Sequence, residues 1–154
     1  MEKQLEIIKA IQKLNPNSLV TGTIALKLHG IDLGREPGDI DILINDYAPN
    51  IKMPSDLYSI HITSTASDGM GAKFDFDGCK VDVLSNDTEE FDIINGIKCS
   101  KVAPILRAKK LYSKQTLGDP TKHDKDIEKI EKLGYNVEPV SNVGFDDDGY
   151  PFCG

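Results

Sequence analysis

A chain of 154 residues with 39% apolar and 28% charged residues has the size and balance of one globular domain, and it holds neither a repeat period nor an apolar run approaching a membrane span. These features argue against solenoid, collagen-like and transmembrane readings, and a net charge of −7 makes long nucleic acid a poor default partner. A domain of this length buries roughly two thirds of its unfolded surface, so its core needs no disulfide or structural metal, and any metal would serve function.

Leu5, Ile7, Ile8, Ile11 and Leu14 recur at helical spacing and predict an N-terminal amphipathic helix that stops at Asn15-Pro16-Asn17. Glu2, Lys3, Glu6 and Lys9 within it do not make the basic, then apolar, pattern of a secretion signal, so a cytoplasmic location without membrane attachment is expected. Ser18 to Thr21 predicts a short strand that Gly22 breaks. Ile24, Ala25, Leu26 and Leu28 then predict a short helix ending near His29-Gly30, with Gly30 as a left-handed cap. Gly30 to Gly38 reads as loop. Asp39 to Ile44 alternates acidic and aliphatic residues and predicts a strand, followed by a polar, Pro-containing loop through Ser55 and a strand over Leu57 to Thr63.

Between Lys73 and Leu84 two alternating runs flank Asp77-Gly78, a hairpin signal. Val102 to Lys114 and His123 to Leu133 have helical spacing, with a turn at Leu117-Gly118-Asp119-Pro120 between them. The predicted order is α-β-α-β-β-β-β-α-α. Strands gathered in the middle with helices at both ends give an α+β class, a mixed or antiparallel sheet with helices packed on one side. Residues 1–134 are expected to form the single domain, and 135–154 an acidic tail. The Asp146-Asp147-Asp148-Gly149 run in that tail lacks the ligand spacing of a calcium loop. Cys79, Cys99 and Cys153 are odd in number and widely spaced, and read as reduced thiols.

The chemistry concentrates in Gly22-Thr23, Asp39-Ile40-Asp41-Ile42 and Lys80-Val81-Asp82-Val83. Residues two apart on a strand share a face, so Asp39 and Asp41 would stand side by side while Ile40 and Ile42 enter the core. Neighbouring carboxylates share a proton, diverge into water or bind a cation, and hard oxygen donors favour Mg²⁺ or Mn²⁺. On spacing alone, the alternation of a half-exposed strand is the better explanation of the Asp pair. The Gly22-Thr23 turn shifts the balance, because a glycine lets backbone approach a ligand and a following hydroxyl can help hold a phosphate. If the Asp82 strand adjoins that of Asp39 and Asp41, Asp82 supplies a third carboxylate to a site for phosphoryl transfer. Arg107, Lys110 and Lys114 share a helix face, and Arg35 is a loop residue that could orient the Asp pair. His123-Asp124 lacks the further ligands of a metal phosphohydrolase, and His29 reads as a capping or packing histidine.

The stretch from Thr21-Gly22-Thr23-Ile24-Ala25-Leu26 through His29-Gly30 and Arg35 to Asp39-Ile40-Asp41-Ile42-Leu43 resembles the signature of the nucleotidyltransferase superfamily, and the resemblance extends through Lys80-Val81-Asp82-Val83 to Lys110 and Asp126. It is most similar to the small stand-alone members, the minimal nucleotidyltransferases and the nucleotidyltransferase-like toxins, with Thr23 where the family usually has Ser. The resemblance implies Mg²⁺ or Mn²⁺ held by Asp39, Asp41 and Asp82, an NTP whose triphosphate rests on Gly22 and Thr23, and a contribution from Lys110. It also implies transfer of a nucleoside monophosphate, such as that of ATP, to an acceptor hydroxyl on a small molecule, protein or RNA. The alternative is a catalytically weak nucleotide-fold module, or a toxin-antitoxin component, acting through a protein partner.

Overall fold

The computed structural model describes residues 1–88, 90–114 and 120–137. The Leu117 to Asp119 turn and the acidic segment with Cys153 lie outside them. Helix α1, Glu2–Leu14, buries Ile7, Ile8 and Ile11 completely, as its apolar spacing requires, and the Asn15 side-chain amide caps its last turn by donating to the Ile11 carbonyl at 2.8 Å. Strand β1, Leu19–Thr21, runs straight into helix α2, Gly22–Leu28, and Gly30 sits at φ 83 just beyond the helix end. Strand β2, Ile40–Ile44, follows the loop.

Strand β3, Ile60–Thr65, begins three residues later than its apolar onset predicts. Leu57 is 71% exposed and lies in a turn, so it is an isolated surface residue and not the start of the strand. Strands β4, Gly71–Phe76, and β5, Cys79–Ser85, form the expected hairpin. Asp77 and Gly78, at φ 49 and 92, give both turn residues the left-handed backbone that matches strand twist.

A second hairpin, β6 at Phe91–Ile94 and β7 at Ile97–Ser100, is absent from the predicted order. It turns on Asn95-Gly96, at φ 53 and 77, between the apolar runs Phe91 to Ile94 and Ile97 to Cys99. The dipeptide is a strong hairpin signal in its own right. Helices α3, Val102–Lys114, and α4, Pro120–Lys132, then pack on each other.

Among the described residues the four helices pack with a seven-stranded mixed sheet of order β3-β4-β5-β2-β1-β7-β6, an α+β fold. Its pairings are antiparallel except β2 with β5 and β1 with β7. The central strands alternate cleanly: Ile40, Ile42, Val81 and Val83 are fully buried, while Asp41 and Asp82 between them are half-buried on the opposite face. Ile24, Leu26, Phe76, Ile97, Leu106 and Ile130 complete one continuous apolar core. No described helix is long and apolar enough to cross a membrane.

Candidate active site

Four adjacent strands present one row of side chains. Thr21 of β1 pairs with Asp41 of β2, Asp41 with Asp82 of β5, and Asp82 with Lys73 of β4. The parallel β2/β5 pairing therefore makes Asp41 and Asp82 direct cross-strand neighbours, the adjacency that the sequence left conditional. Such neighbours sit roughly 5 Å apart across a ladder, close enough for two carboxylates to repel or to share a cation. Burial pushes the Asp82 carboxyl above its ordinary value, Asp39 adds to the rise, and Lys73 and Lys80 oppose it.

Thr21 leads directly into the turn at Gly22, which adopts φ 68. A Cβ at this position would collide with the Asp41 carboxylate, so the missing side chain is what lets that carboxylate lie against the turn. Gly22→Ala is expected to cost about 1–3 kcal/mol of stability by urea denaturation and to displace Asp41. A variant as stable as the wild type would remove the reason given for this glycine.

The row forms one wall of a cavity of about 410 Å³. Gly22, Thr23, Asp41 and Asp82 all line it; Asp39 and Lys110 do not. Asp39 precedes β2 at the exposed rim, and Lys110 turns away to pair with Glu131 at 3.3 Å. Arg107 likewise pairs with Glu90 at 3.4 Å. Among the described residues no three His, Cys, Asp or Glu side chains are gathered closely enough to hold a metal ion. The Asp41 and Asp82 pair nevertheless fits a hard divalent cation in donor chemistry.

The opposite wall carries a buried charge cluster. Asp126 of α4, 1% exposed, accepts a bidentate pair of bonds from Arg35, with Nη2 to Oδ2 at 2.7 Å, and a further bond from Lys109 Nζ at 3.0 Å. Burial disfavours the charged carboxyl, yet the hydrogen bonds and positive charges of Arg35 and Lys109 outweigh it and hold the Asp126 carboxyl down at about 2. Arg35, Lys109 and His123 face the cavity from this side. Ser100 lines it as well, at 1% exposed, and its Oγ has no hydrogen-bond partner among the described residues.

Lys109 was open to detection from sequence. Val102, Ile105, Leu106 and Lys109 fall at i, i+3, i+4 and i+7, so the lysine occupies the inward stripe of α3, whereas Lys110 falls beside it. Asp126 likewise sits four residues before fully buried Ile130. Arg35 is not a surface loop residue but an anchor, and Lys129 reinforces it by donating to the Leu33 carbonyl, so the loop leading to β2 is tied to α4 at two points. His29 follows α2 as the expected capping residue, its Nε2 lying 2.9 Å from the Ser100 carbonyl.

No protein-family model and no curated protein matches the sequence. Solved structures do. The chain is similar to ANT(2'')-Ia, solved in complex with adenylyl-2''-tobramycin, at TM-score 0.64 and 14% identity over 87% of this chain and 91% of that one. It is similar to the Megavirus polyadenylate synthase at TM-score 0.62 and 12% identity, over 96% of this chain and 35% of the viral one. A candidate nucleotidyltransferase from H. pylori matches at TM-score 0.53 and 19% identity over 71% of this chain, and the match spans 56% of the H. pylori protein. The fold is that of the nucleotidyltransferases.

Proposed function

We propose that this chain transfers a nucleoside monophosphate from an NTP to an acceptor hydroxyl. The observation that carries the reading is the register of Asp41 against Asp82, beside a glycine turn whose missing side chain makes room for the Asp41 carboxylate. Asp41 and Asp82, with Asp39 at the rim, would hold Mg²⁺ or Mn²⁺, which when bound neutralises phosphate charge and orients the polyphosphate. Gly22 and Thr23 receive the triphosphate through backbone approach and the Thr23 hydroxyl. Lys109, and not the Glu131-paired Lys110, is the better placed cation for it, because it stands on the cavity wall.

In the transfer, the acceptor oxygen forms a bond to the α-phosphorus as the bond from that phosphorus to its β-bridging oxygen breaks, and pyrophosphate leaves with the electron pair. Asp82, next to the reacting centre, accepts the hydroxyl proton. ANT(2'')-Ia, solved with an adenylylated compound, supports transfer to a separate acceptor. Residues 1–134 form the catalytic unit in this reading and 135–154 an appended acidic tail. The enzyme works in the cytoplasm, where Cys79 and Cys99 stay reduced.

A second reading, a nucleotide-fold module acting through a protein partner, draws on one observation: Asp39 does not join Asp41 and Asp82 on the cavity wall. A thermal-shift panel of ATP, GTP, CTP and UTP, each with and without Mg²⁺, separates the two. The transfer reading expects a metal-dependent rise of about 5–10 °C for at least one nucleotide at roughly 100 times its Kd. No rise for any of the four at millimolar concentration favours the partner-dependent module.

A further inference from the structure

We infer that the acceptor is anionic, its hydroxyl standing near a negatively charged group that Lys73 binds on the side of the carboxylate pair remote from the Gly22-Thr23 turn. This rests on the transfer reading and extends it to the class of acceptor. Lys73 continues the row Thr21, Asp41, Asp82 onto β4. Three inter-strand steps of about 4.8 Å separate it from Thr21, so it lies roughly 14 Å from the strand that carries the nucleotide turn, with both carboxylates between. A group bound at Lys73 is thus across the reacting centre from the triphosphate, where an acceptor must enter.

The charges around the cavity support an anion there. Arg35 and Lys109, the other cations on its wall, share the single counter-charge of Asp126, and the transfer reading gives Lys109 to the triphosphate. Lys73, exposed, has no ion-pair partner within 4.0 Å among the described residues. Its cross-strand neighbour Asp82 is the carboxylate that the transfer reading commits to the cation, and Met70, Ala72, Leu84, Ser85 and Asn86, which also line the cavity, add no further one. A polycationic acceptor needs acidic groups beyond those that would hold the cation, and besides Asp82 this end offers a lysine, an amide, a hydroxyl and apolar surface.

The test uses the full chain loaded with Mg²⁺ and a non-hydrolysable α,β-methylene NTP, titrated calorimetrically with ribose, ribose 5-phosphate, glucosamine and a ribodinucleotide. Ribose 5-phosphate is expected to bind at least about tenfold more tightly than ribose or glucosamine. Lys73→Met is expected to abolish that preference and Lys73→Arg to retain it, with binding of the NTP analogue unchanged within about twofold in both, a pattern that a merely structural lysine would not produce. Tighter binding of the dinucleotide than of ribose 5-phosphate assigns the anion to a strand end, and weaker binding assigns it to a free phosphate ester; both support the inference. Equal affinity for ribose and ribose 5-phosphate, or a preference that survives in Lys73→Met, overturns it while leaving nucleotidyl transfer standing. Failure of the NTP analogue to bind overturns the transfer reading and this inference with it.

Discussion

Asp41→Asn is expected to weaken Mg²⁺-dependent NTP binding by at least about 100-fold while leaving the urea midpoint close to that of the wild type. The size follows from the proposed site, in which Asp41 is one of two neighbouring carboxylates that would hold a shared cation against the phosphates, worth several kcal/mol. The fold should survive because Asp41 is half-buried on the cavity face, while Ile40 and Ile42 on its own strand carry the packing at 0% exposed. Asparagine keeps the shape and removes the charge, including the repulsion with Asp82, so the change falls on ligation and not on volume. Asp39→Asn is expected to cost less, about tenfold, since Asp39 lies at the rim. Isothermal titration of the best-binding NTP, with and without Mg²⁺, measures both. Unchanged binding in Asp41→Asn would remove this carboxylate from the site, and a larger loss in Asp39→Asn would place the centre of the site at the rim.

The second large effect falls on stability. Asp126→Ala is expected to cost about 3–5 kcal/mol, because it leaves the buried Lys109 ammonium and the Arg35 guanidinium without their shared counter-charge. The same group sets an acid limb. With its carboxyl at about 2 in the folded protein and near 4 when unfolded, the native state binds this proton less tightly than the unfolded chain does. Its contribution, on the order of 2 kcal/mol, is therefore fully present above about pH 4 and is lost as pH falls from about 4 through 2. Urea titrations at pH 7, 4, 3 and 2 should show this loss in the wild type and a flatter profile in Asp126→Asn. Parallel profiles for the two proteins would mean that Asp126 is not held as a buried anion. The variant should also loosen the loop leading into β2, since Arg35 joins that loop to α4, and so weaken NTP binding without touching a cavity carboxylate.

Much of the architecture was legible because its signals are local. The helical stripe of α1, the alternation of β2 and the Asp77-Gly78 hairpin each follow from the spacing of neighbouring residues, and each stands in the structure within a few residues of its expected place. The Asn95-Gly96 hairpin carried an equally local signal and belongs with them in kind, although it is missing from the predicted order. Lys109 belongs there too, since its place on the apolar stripe of α3 marks it as inward-facing before any contact is known.

Element types, the α+β class and a glycine turn with acidic strands were readable from local pattern, because backbone preference and amphipathic period act over a few residues. Which of those acids meet depends on how the strands assemble into the sheet. Asp41 and Asp82 are 41 positions apart, and they become neighbours because β5 inserts beside β2 in parallel while β1 takes β2's other edge. Strand order depends on how whole faces bury against one another, and no local window encodes it. The same holds for Arg35 and Asp126, 91 residues apart in sequence, whose pairing makes a loop arginine the link between the loop and α4. It holds again for Lys73, which becomes the fourth member of the row only when β4 returns along β5.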